Sequence, residues 1–286
     1  MLGMWRESIA ANVKTVAAGK DYAARHNLDG IYPVDPHAYD FMQYAYLQLG
    51  KDREAKELMD EVAGIKKIFS PRLTTDTALA AVPARYMLER QDWRGAAGLA
   101  VPTLVTALPA KAITHFARAI GAARGGDFAA AQVDIDRLKE FSASLAKAGD
   151  VYWSGQVDVQ ILAAQAWLAH GQGRKAEAVK LMRAAADRED HSEKHVAMEN
   201  RLYPMRELLA DLLLEQGDGA SALNEYEASM KNAPERIRGF YGAAKAAQAS
   251  GDKEKVVVYF RDLARLTRDA DGDRAEIREA RRFAAE

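Results

Sequence analysis

The chain is 286 residues long, is 49% hydrophobic and sets 40 basic against 41 acidic side chains for a formal charge of −1. So even a balance leaves no global field to gather nucleic acid or an anionic membrane, and any charged binding surface has to be local. The absence of cysteine excludes disulfides, thiolate metal sites and a cysteine nucleophile, while fitting a reducing or an oxidising compartment alike.

At the N-terminus, Leu2-Gly-Met-Trp-Arg-Glu-Ser8 reads as the turn and second helix of a helix–turn–helix unit, with Gly3 at the turn and Ser8 five residues on. The first helix of that unit is missing, so a truncated repeat over 1–27 is expected. Its helix is predicted through Val13, Val16 and Ala17 towards Arg25, before Asn27, Gly30, Pro33 and Pro36 break the pattern. Residues 1–20 have no signal-peptide pattern.

Four divergent units follow over 37–202. The first has a helix at 38–49 that ends at Gly50 and a second from Asp52, with Ala55 five after the glycine. The next spans 77–100 and puts Gln91 where glycine is expected, flanked by Ala84 and Ala96. The third covers 110–147 with Ala119, Gly126 and Ala131, and the fourth has a helix over 156–170 that runs into Gly171-Gln-Gly173. Between them, Gly95 to Ala110 is the longest uncharged run, but Pro102 and Pro109 interrupt it and a bilayer span needs about 20 apolar residues. No membrane insertion is expected, and the compartment stays open between cytoplasm and periplasm.

Over 203–269 one 34-residue pattern is written twice. Ala210, Gly217, Ala222 and Tyr226 recur at the same offsets as Ala244, Gly251, Val256 and Phe260. Small residues at matched positions let paired helices approach to about 8–10 Å, and the glycine supplies the left-handed residue that ends the first helix. The pattern resembles the tetratricopeptide repeat. A charged helix with an Ile277, Ala280 and Ala284 stripe closes the chain over 270–286, as a terminal cap does. The expected fold is all-α, a right-handed solenoid of stacked antiparallel helix pairs running through 1–286 as one unit.

The succession also resembles the C-terminal part of an uncharacterised family of longer bacterial tetratricopeptide proteins. The matching segments include Leu2 to Asn12, His37 to Gly50, His115 to Ala119, Glu193-Lys-His195 and Pro204 to Leu209. At Val196 such relatives often have proline. The resemblance brings no activity with it.

In a tetratricopeptide array, fixed offsets before each turn residue point into the concave groove. That resemblance selects His37, Asp40, Tyr44, Arg85, Phe116, Gln165 (counted from Gly171), Glu207, Asp211, Arg238, Tyr241 and Lys245. Such a mixed polar and aromatic surface suits a protein or peptide partner better than a polyanion. His37, His115 and His195 all sit near the starts of first helices. Trp5, Trp93 and Trp167 are read as core, and Lys66, Lys67 and the tail arginines Arg274, Arg278, Arg281 and Arg282 as solvated surface. In Asp190-His-Ser-Glu-Lys-His195, alternation would put His191, Glu193 and His195 on one side, a donor set for a divalent metal. The leading reading is a non-enzymatic interaction module without cofactor; the alternative is part of a metal- or small-molecule-handling enzyme.

Overall fold

The computed structural model describes residues 2–193, 195 and 202–285. Among these, the chain is all-α. After α1 (Trp5–Arg25) come six pairs: α2 (Val34–Gln48) with α3 (Asp52–Ala63), α4 (Leu73–Glu89) with α5 (Trp93–Ala97), α6 (Leu108–Gly125) with α7 (Phe128–Lys147), α8 (Val151–Gly171) with α9 (Lys175–Asp190), α10 (Met205–Glu215) with α11 (Gly219–Asn232), and α12 (Ile237–Ser250) with α13 (Lys253–Leu266). Helix α14 (Ala275–Ala285) ends the array. An isolated bridge, Ile31 to Ile68, ties the loop after α1 to the loop after α3. No helix among the described residues is long and apolar enough to cross a membrane.

The turn grammar is local physics. Gly3, Gly50, Gly126, Gly173, Gly217 and Gly251 all adopt φ between 70° and 88°, the left-handed conformation that glycine reaches at no steric cost. Gln91 takes the same conformation at φ 55°. In the fourth unit the turn residue is thus Gly173, and α8 runs through Gly171. Aspartates directly after four of these turns cap the second helix: Asp92, Asp127, Asp218 and Asp252 each accept from a backbone N–H three residues on. Five residues past the turns, Ala55, Ala96, Ala131, Ala178 and Ala222 are 0% exposed, where the paired backbones close on them.

The array bends round until its ends meet. The carbonyl of Gly50 accepts from the Gly272 N–H at 3.2 Å. Asp271 accepts from the Asp52 N–H at 2.8 Å, so the start of α3 is capped from 219 residues away. Arg274, expected on the solvated surface, is buried with its Nε 3.0 Å from both Asp52 carboxylate oxygens. At the other side of the seam the Trp5 indole donates to the Glu235 carbonyl, and Arg6 pairs with Asp269 at 2.6 Å. A linear solenoid has only nearest-neighbour contacts; this chain adds a first-to-last one.

Candidate functional site

Closure fills the concave face with the chain's own side chains. The expectation of an open groove is corrected at Asp40, Tyr44, Arg85, Phe116, Glu207, Asp211 and Arg238, all of them buried. The hub is Arg236, 0% exposed, in the turn before α12. It donates to Glu207 at 2.7 and 2.9 Å, to Glu89 at 2.8 Å and to the Tyr44 hydroxyl, so α2, α4, α10 and α12 meet on one guanidinium. Arg85 pairs with Asp40 and lies over the Tyr44 ring, 4.9 Å from its centroid. Arg238 donates to both Asp211 oxygens at 2.8 and 2.9 Å and to the Tyr203 hydroxyl at 3.0 Å. With its amide oxygen facing that guanidinium, Gln91 accepts from Arg238 at 2.8 and 2.9 Å, a bond that glycine at this turn could not make. Burial pushes the Glu207 carboxyl up and the hydrogen-bonded Arg236 opposes it; burial likewise pushes Tyr44 up to about 12. The hub is a structural lock, because Arg236 ties the two buried carboxylates and the Tyr44 hydroxyl together, leaving only Glu89 Oε2 among its bonded side chains without a hydrogen bond.

The other groove positions lie apart from it. Tyr241 and Lys245 are half-buried under the last helix, both bonded to Glu279 at 2.9 and 3.0 Å. Gln165 is half-buried, and with the turn at Gly173 its groove register passes two residues on to Trp167, 2% exposed. His37 stands edge-on to Phe41, and His115 pairs through Nδ1 with Asp134 at 2.7 Å.

The structure does not gather the expected metal donors. The His191 ring bonds the Asp187 carbonyl of its own helix at 2.7 Å. Tyr152 donates to the Glu193 carbonyl at 3.0 Å and accepts from the His195 N–H at 3.1 Å, while the His195 ring stands edge-on to Trp153 at 5.0 Å. No group of three metal donors forms among the described residues. Lys194 and Val196 lie outside the described residues.

An open cleft lies beside α5, the shortest helix among the described residues. Helix α5 has 5 residues, against 12 in α3, 20 in α7 and 14 in α11 and α13. Gly98 and Pro102 stop it. What there is of α5 is bedded on α6, so closely that a Cβ at Gly121 would stand 2.6 Å from the Ala97 nitrogen and the Trp93 carbonyl oxygen. The outer face of α4 is therefore left to an irregular strap, 98–104. Between α3, α4 and the strap lies a cleft of about 330 Å³, lined chiefly by Met59, Val62, Leu79, Pro83, Met87 and Leu104. Its charged lining residue is Asp60, bonded by Lys56 at 2.6 Å on the open surface. The sequence signal for the cleft is the uncharged run from Gly95 to Ala110: a full second helix of an exposed pair would carry charge on its outer face.

One buried acid stands unused in the neighbouring packing of α1 on α2. Asp35 is 1% exposed, its Oδ1 has no hydrogen-bond partner, and Gly19 packs against it so tightly that a Cβ there would come within 2.0 Å. Burial raises its carboxyl from 3.8 to about 6, with Lys20 opposing and Glu61 adding to the rise. Because the folded-state value is raised, the cost of the charged form is fully present above pH 6, shrinks as pH falls, and vanishes below about 4. Asp35→Asn is expected to gain on the order of 1–3 kcal/mol at pH 8 and nothing at pH 4. Urea denaturation at the two pH values checks this, and an equal gain at both would assign the effect to packing.

No family model and no curated protein matches the chain. Among solved structures it is similar to a tetratricopeptide repeat protein from Parabacteroides merdae ATCC 43184 over 99% of each chain, at 13% identity and a TM-score of 0.46. At that distance the likeness carries no function across. On its own geometry the chain is an all-α array of stacked helix pairs with left-handed turns at the expected spacing.

Proposed function

We propose that the protein is a non-catalytic interaction module that takes a segment of a partner protein, anchoring it by apolar side chains in the cleft between α3 and α4. The observation that supports this reading is the cleft itself. At about 330 Å³ it has the size of a ligand site, its walls are apolar and include two adaptable methionines, and it carries one carboxylate at the edge. On the concave face the side chains of Tyr44, Glu89, Glu207 and Arg236 are bonded to one another. Membrane insertion and a polyanionic partner have no support in the charge or in the helices.

The test is a selection of random 18-residue peptides displayed on phage, followed by fluorescence anisotropy on the recovered sequences. Met87→Glu puts a charge into the half-buried wall of the cleft, and it is expected to weaken the recovered peptides about tenfold or more. Met59→Glu is expected to do the same from the opposite wall, with melting temperatures near the parent's. Peptides that bind both variants as tightly as the parent would move the site elsewhere.

A further inference from the structure

Resting on that reading, we propose that the occupant of the cleft is a short amphipathic helix of a partner protein, with an apolar ridge flanked by lysine or arginine, which completes the truncated α4/α5 pair. The first support is the missing length. Even against α3, the shortest of the other second helices, α5 falls short by 7 residues (12 less 5), about two helical turns. The space such turns would cover is the cleft.

The second support is the shape of the walls. On α4 the lining residues Leu79, Pro83 and Met87 follow a four-residue step, and on α3 Met59 and Val62 follow a three-residue step. Rows at those steps are the ridges into which a third helix packs its own i, i+3/i+4 and i+7 side chains. A volume of about 330 Å³ holds a few such side chains and no helix backbone, so the backbone would ride on the rim and the anchors would point inward. The strap is irregular, with turns at 98 and 103–104, and it does not offer a sheet edge to an extended peptide. Pro102 removes a donor from its middle, and the Leu99 carbonyl is already taken by Arg118 at 3.5 Å.

The third support is charge. The strap is uncharged over its whole length, and the α3 wall belongs to a helix with Asp52, Glu54, Glu57, Asp60 and Glu61 against Arg53 and Lys56. Of these, Asp60 stands at the cleft. Its bond to Lys56 is an exposed pair, with side chains 60% and 46% accessible, and so offers little resistance to a second cation from a partner.

The peptides recovered against the cleft supply the probes. Sequences that depend on Met87 are expected to carry apolar residues at i, i+3 or i+4, and i+7 with Lys or Arg beside them, and to show helical Hα shifts when bound. A single proline at the centre is expected to weaken them at least about tenfold, since it removes a helix bond and clashes with the preceding turn. Replacing the flanking Lys by Glu is expected to cost about three- to tenfold, and Asp60→Lys to return that loss. Met87-dependent peptides that tolerate the proline, or that show alternating apolar positions, would overturn the helix while leaving the cleft as the binding site. A preference for Glu over Lys at the flank would overturn the basic partner. A dimer in sedimentation equilibrium that Met87→Glu dissociates would make the occupant a second copy of this chain. Recovered peptides that ignore Met87 altogether would overturn the cleft reading and this one with it.

Discussion

Arg236→Met is expected to cost about 3–5 kcal/mol of folding free energy, the loss typical of removing one partner from a buried ionic cluster. The substitution leaves Glu207 and Glu89 at 0% exposure without their shared guanidinium, and it strips the Tyr44 hydroxyl of its donor. Packing alone does not account for a loss of that size, because methionine fills much of the volume of the arginine stem. A triple variant, Arg236→Met with Glu89→Leu and Glu207→Leu, separates the two. With no charge left unpaired at the hub it is expected to recover most of the loss, as apolar replacements of whole buried ion clusters do. Urea denaturation of the parent, single and triple variants supplies the measurement. A single variant within about 1 kcal/mol of the parent would mean that water reaches the hub and solvates the two carboxylates.

What the sequence made legible here was whatever is decided over a few residues. A helix end that must turn left-handed needs glycine or an unstrained substitute, so the offsets located the turns, including Gln91, from spacing alone. Close backbone approach needs alanine, so the small residues at Ala96, Ala131 and Ala222 marked the helix crossings. In the fourth unit Ala178, five after Gly173, marks the second helix, but the groove position Gln165 slips because it is counted from Gly171, and the choice between the two glycines depends on how far α8 extends. Long-range geometry was not legible. The groove offsets assume an open superhelix; whether such a superhelix closes depends on the sum of small rotations and on insertions between units. Arg236 escaped notice for that reason, since it lies in a turn and no groove offset selects it. Arg274 reads as one of several tail arginines until the seam brings it onto Asp52. The cleft had a signal, the uncharged run from Gly95 to Ala110, whose meaning as a shortened helix appears only once α5 is seen to stop at Ala97.

Asp52→Ala is expected to open the ring and to cost about 3–5 kcal/mol, because it leaves the guanidinium of Arg274, itself 7% exposed, buried against Leu47 without a counter-charge. It also takes the partner from Arg90 on the neighbouring unit. The distinguishing consequence is where the protection goes. In a linear array the terminal units open first and independently, since each repeat is held by its neighbours. In the closed ring α14 and the start of α3 hold each other: Ile277 and Ala270 sit against Gly50, Gly272 donates to Gly50, and Asp271 caps the Asp52 N–H. Native-state hydrogen exchange of the parent should therefore show α14 and the first turns of α3 opening together at one free energy. After Asp52→Ala, the amides of residues 277–284 and 55–58 are expected to lose protection by similar factors while 163–168, in α8 at the middle of the array, keep theirs relative to global unfolding. Arg6→Ala is the control, since its pair with Asp269 is exposed and is worth at most about 1 kcal/mol. If α14 lost protection and α3 did not, the seam would be a docked tail rather than a closure, and the solenoid would be linear in its energetics as well as in its sequence.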